Sequence, residues 1–71
     1  MRELTEEVVI DKLATDIELA YDPKSGYRLQ YYILSQEFTI LRDGDFIAVF
    51  DGTSATEKAV RAYNELVRES R

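Results

Sequence analysis

The dipeptide Asp43-Gly44 stands between two six-residue runs, Glu37–Arg42 and Asp45–Phe50, that are rich in Phe, Ile, Leu and Val and free of proline. A type I′ turn needs positive φ at both central residues, and Asp-Gly meets that demand at little cost, so the segment reads as a two-residue β-hairpin. The turn sets a register. It pairs Arg42 with Asp45, Ile40 with Ile47 and Phe38 with Val49 on one face, and Leu41 with Phe46, Thr39 with Ala48 and Glu37 with Phe50 on the other.

Residues 27–34, rich in Tyr, Leu and Ile, form a third strand. With Ser35-Gln36 as a second two-residue turn, Leu29, Tyr31, Ile33, Phe38, Ile40, Ile47 and Val49 make one apolar layer. The opposite face holds Gln30, Tyr32, Leu34, Glu37, Thr39, Leu41, Phe46, Ala48 and Phe50. Either a helix covers this second face or it stays open as an apolar patch for a partner or a second copy of the chain. Its large side chains, Tyr32, Leu34, Leu41, Phe46 and Phe50, are the candidate contact residues.

A helix is expected on each side of the sheet segment. Val9, Ile10, Leu13, Ala14, Ile17, Ala20 and Tyr21 recur at three- and four-residue steps, with Thr5 as N-cap and Asp22-Pro23-Lys24-Ser25-Gly26 as the stop, which predicts a helix over 5–21. Ser54-x-x-Glu57 is a capping-box pattern, and Ala59, Ala62, Tyr63, Leu66 and Val67 form the stripe of a second helix over 54–69. Glu57 and Arg61 have the spacing of an i,i+4 ion pair. The expected fold is α+β, an α-β-β-β-α single domain over residues 1–71 with strands at 27–34, 37–42 and 45–50 in a three-stranded antiparallel meander.

At 71 residues the chain can bury only about 60% of the surface its unfolded form exposes, which allows one core. It has no Cys, so neither disulfides nor thiolate metal sites supplement that core, and no His, which removes the commonest general base. Asp43 and Asp45 flank a glycine, but the remainder of a calcium loop is missing. Asp51-Gly52-Thr53-Ser54 precedes a helix without the lysine of a phosphate loop. The chain is expected to be no enzyme, with no catalytic residues, metal or cofactor.

The net charge is −5, and all of the imbalance lies in residues 1–22, where seven acids face Arg2 and Lys12. On the wheel of a 5–21 helix, extended to its flanks, Glu3, Glu7, Asp11, Glu18 and Asp22 fall within an arc of roughly 100°. Such a ridge suits a protein partner with a basic groove. The same charge argues against nucleic acid as a partner. The N-terminal residues lack a signal peptide's apolar core and no apolar run reaches bilayer length, so a cytoplasmic location without membrane contact is expected.

The element order resembles that of the double-stranded-RNA-binding domain, which implies a basic cluster at the start of the last helix. At those positions stand Ser54, Ala55, Thr56, Glu57 and Lys58, and only the last is basic. Phe50-Asp51 and Val60-Arg61-Ala62-Tyr63-Asn64 look like the end of the AP2 and integrase arm-binding domains, which implies a three-stranded sheet backed by a helix. In size, acidity and element order the chain is also similar to small acidic proteins of phages and mobile elements, anti-CRISPR inhibitors among them. That resemblance implies a non-enzymatic protein-binding module, an inhibitor whose acidic surface occupies a basic nucleic-acid-binding site. A small nucleic-acid-binding domain and a homodimer paired through the open sheet face are the alternatives.

Overall fold

The computed structural model describes residues 3–70, in the order α1 (Glu6–Lys12), β1 (Glu18–Tyr21), β2 (Tyr27–Tyr32), β3 (Glu37–Arg42), β4 (Asp45–Phe50) and α2 (Ala55–Glu69). Met1, Arg2 and Arg71 of the expected domain lie outside the described residues. The α+β class stands, with two helices and an antiparallel meander, but the sheet has four strands in the order β1-β2-β3-β4 rather than three. The extra strand comes out of the expected first helix.

That helix ends at Lys12, not at residue 21. Thr5 caps it as expected, its hydroxyl accepting from the Val8 amide, but after one further turn the chain extends. Ile17, Leu19 and Tyr21 alternate with Glu18 and Ala20, so a strand period fits this stretch as well as the helical one. Pairing decides between them: as a strand, residues 18–21 complete the hydrogen bonds of β2's free edge and bury Leu19. Asp22–Gly26 is therefore a hairpin loop and not a helix stop. The Asp22 carboxylate is buried in it and accepts from the Ser25 amide at 3.1 Å and the Ser25 hydroxyl at 2.6 Å, while its backbone amide donates to the Tyr27 carbonyl at 2.9 Å.

The β2–β3 register is displaced by two residues from the expected one. Leu29 faces Ile40 and Tyr31 faces Phe38, and the turn widens to Ile33–Gln36, with Gln36 at φ 56°. A shift of two leaves every side chain on its own face, so Leu29, Tyr31, Phe38 and Ile40 still share a layer. Strand β2 stops at Tyr32, which leaves Ile33 and Leu34 in the loop.

The Asp43-Gly44 turn forms as expected, with φ of 52° and 85°. Arg42 pairs with Asp45 and Leu41 with Phe46, and then a bulge inserts Ile47, so that Ile40 meets Ala48, Thr39 meets Val49 and Phe38 meets Phe50. The expected pairings Ile40–Ile47, Phe38–Val49, Thr39–Ala48 and Glu37–Phe50 do not occur. Beyond the bulge the faces exchange: Ala48 and Phe50 turn toward the core, and Val49 turns away.

The core is a single layer between α2 and one face of the sheet. Leu29, Ile40, Ala59 and Val9 are wholly buried there, with Leu19, Phe38, Val60 and Tyr63 around them. Ala59 has no bulk beyond Cβ, which permits close approach of helix to sheet. Tyr63 donates its hydroxyl to the Tyr27 carbonyl at 3.3 Å, which satisfies the one polar atom it brings inside. Helix α1 packs on α2, tied by Asn64, whose side chain accepts from the Leu4 amide at 2.9 Å and donates to the Leu4 carbonyl at 2.8 Å. The capping box does not form. Ser54 takes a left-handed conformation, φ 64°, makes no side-chain cap, and leaves Glu57 to pair with Arg61 at 2.9 Å.

The buried Asp22 loop gives a test of the β1–β2 hairpin. Asp22→Ala strands two donors in a dry turn and is expected to lose about 1–3 kcal/mol in urea unfolding, while Lys24→Ala in the same loop stays within ~0.5 kcal/mol. Equal, small effects from both would mean that the loop is not built around Asp22.

Candidate functional site

Both helices lie on one side of the sheet, so the other face has no element packed over it among the described residues. Register places its side chains in rows across the four strands. One row runs Tyr21, Arg28, Leu41, Phe46, and the next runs Glu18, Gln30, Thr39, Val49. Tyr32 and Glu37 form a third, shorter row.

The face is divided by chemistry. On the β1–β2 side, Glu18 accepts from Arg28 at 2.6 Å, the Arg28 guanidinium lies 4.0 Å from the centre of the Tyr21 ring, and the Tyr32 hydroxyl donates to Gln30 at 2.5 Å. The Glu18 hydrogen bond, aided by its charge, holds the Arg28 pKa above its ordinary value. The polar groups on this side are engaged with one another. On the β3–β4 side, Leu41, Phe46 and Val49 form an apolar strip, with Phe46 69% and Val49 53% exposed and Ile47 beside them at the bulge.

Of the expected contact residues on this face, Tyr32, Leu41 and Phe46 are here. Leu34 is not on the sheet; it sits fully exposed in the β2–β3 loop, next to Ile33, which is 67% exposed. Phe50 points to the opposite side and packs on the core, because the bulge reverses the alternation before it. Val49, expected inside, takes the outward place. No glycine or other turn residue marks the bulge in the sequence.

The expected acidic ridge is broken up by the early end of α1. Glu7 and Asp11 remain on that helix, exposed and without an ion pair among the described residues. Glu3 precedes the helix and receives a hydrogen bond from Arg68, which raises the Arg68 pKa. Glu18 has moved to β1, where it pairs with Arg28, and Asp22 is buried in the hairpin loop. Five residues on one helical arc become members of four different local structures.

Among the described residues no group of three or more His, Cys, Asp or Glu side chains converges as a metal site, and no helix is long and apolar enough to cross a membrane. Comparison with family models, with curated proteins and with solved structures finds no match to this chain.

The two edge strands, β1 and β4, each carry a bulge, at Leu19 and at Ile47. Bulges disturb the row of free backbone groups through which an edge strand recruits another chain. Deleting Ile47 keeps the pairs Leu41–Phe46, Ile40–Ala48 and Phe38–Phe50 and so keeps every face, while making the β4 edge regular. The expected outcome is a folded protein whose self-association, read by light scattering against concentration, exceeds that of the wild type. An unfolded product would contradict this account of the register.

Proposed function

We propose that the chain is a non-enzymatic protein-binding module that docks through the open face of its sheet. The observation that carries this reading is the uncovered strip of Leu41, Phe46 and Val49, held in place by a sheet whose other face is used by the core. Apolar side chains in a contiguous group on a rigid surface are what a partner can desolvate with least loss of its own freedom.

Area argues about the kind of partner. Three strands of six residues and one of four present a face of at most roughly 20 by 19 Å, or under about 400 Å², from standard strand spacings. A specific complex buries ~800 Å² on each side, so a flat copy laid on this face falls well short. This favours a different protein that reaches past the sheet over homodimerisation through the face alone. In its sharpest form the reading is an inhibitor that occupies a basic nucleic-acid-binding site on its target. Its support is the net charge of −5 together with Glu7 and Asp11, exposed and without an ion pair among the described residues. They lie on α1, across the sheet from the strip, so in this form the basic site would be met by the helix side and not by the open face.

The test is a cross-linked pull-down from the native host with wild type and Phe46→Glu. Phe46 has little buried surface, so the variant should keep its thermal midpoint, and the partner recovered with wild type should drop at least about tenfold, as for loss of a central anchor. Recovery of the same partner at wild-type level would rule out the sheet face.

A further inference from the structure

We propose that the end of the domain formed by the α1–β1 and β2–β3 loops is a second contact surface, a cleft that takes apolar side chains from a protein segment rich in Lys or Arg. The proposal rests on the protein-binding reading but uses a different surface, which shares only the Tyr32–Glu37 row with the sheet face. Leu13, Ile17, Tyr31, Tyr32, Ile33 and Leu34 line a cleft of about 290 Å³ between the two loops. Three of them, Ile17, Ile33 and Leu34, are more than half exposed, and Leu34 is wholly so.

Two physical features select the occupant. The first is size: small-molecule sites span ~300–1,000 Å³ with a few convergent polar groups, whereas this cleft is at the bottom of that range and its wall is apolar, which suits one or two inserted side chains. The second is charge. Asp16 lies in the wall and Glu37 stands directly across the ladder from Tyr32, and neither makes an ion pair among the described residues. No Lys or Arg lines the cleft; the nearest along the chain, Lys12, donates its ammonium to the Leu19 carbonyl at 3.4 Å and pairs with neither carboxylate among the described residues.

An apolar tip inside an acidic rim repels anionic lipid headgroups and phosphates. It attracts a cationic protein segment whose Leu, Ile or Phe side chains enter the cleft while its Lys or Arg side chains meet the rim. The two loops also lie where the sheet ends at Tyr32 and Glu37, so a partner seated on the sheet face can extend into the cleft. That adds the area the face alone lacks.

The probe is a fluorescent helical peptide with a Leu stripe and Lys elsewhere, compared with a Leu/Glu counterpart, a Ser/Lys counterpart, and vesicles of anionic or zwitterionic lipid. The Leu/Lys peptide should bind, more weakly as salt rises, and the other probes and vesicles should not. The double variant I33S/L34S should weaken binding about tenfold or more. D16N/E37Q should weaken it several-fold, while E65Q/E69Q, which removes the same charge from the far end of α2, changes it less than twofold. Circular dichroism confirms that each variant is folded, and F46E, which alters the sheet face, should leave peptide affinity unchanged.

Equal losses for the two charge-matched pairs would mean attraction to net charge alone and would overturn the cleft. So would indifference to I33S/L34S, binding to either vesicle, or binding of the Leu/Glu peptide. Any of these outcomes leaves the sheet-face reading to be judged by its own pull-down, since F46E separates the two surfaces.

Discussion

Everything else in this fold depends on the contact of α2 with one face of the sheet, where Leu29, Ile40 and Ala59 are wholly buried. A chain of this length has apolar material for one layer of core, and α2 uses most of it. Helix α1, at seven residues, is too short to stand alone and is held through Val9 in that layer and through Asn64 on α2. It is thereby drawn to the same side of the sheet. The open face is the consequence of a core that needs only one side.

The bulge at Ile47 determines what the open face is made of. Without it, Phe50 and Ala48 would lie outside and Val49 would point in; with it, the larger aromatic joins the core beside Phe38 and the β-branched side chain goes out. The change deepens the core where α2 crosses β4, and it leaves Phe46, Val49 and Leu41 as one strip. A local irregularity of a single residue thus trades core volume against surface chemistry.

The parts of the fold that were legible are those set by residue-specific backbone demands. Asp43-Gly44 allows few conformations other than its turn, and the Ala59, Ala62, Tyr63, Leu66, Val67 stripe fits only a helix. Strand β1 was not legible because Ile17, Leu19 and Tyr21 satisfy two periods at once, and the choice between them is made by β2, a partner distant in sequence. The β2–β3 loop is two residues longer than Ser35-Gln36 alone implies, yet the faces are kept, since only an odd displacement exchanges them. For the candidate site the outcome followed the same logic: Tyr32, Leu41 and Phe46 lie before or beside the bulge and kept their face, Phe50 lies after it and did not. The acidic ridge had no chance of surviving, because its arc presumed a helix through Glu18 and Asp22.

The edges bear on the proposed docking face. A six-residue edge strand with Phe46, Ile47 and Val49 exposed is a hazard for uncontrolled pairing, and here the bulge interrupts it, as another interrupts β1. Polar replacements at these exposed positions would cost little in a core that the side chains do not enter. Instead the backbone route to association is obstructed while the side chains remain. That combination favours contact through side-chain shape on a face over strand addition at an edge, and recognition of that kind discriminates between partners where backbone pairing does not.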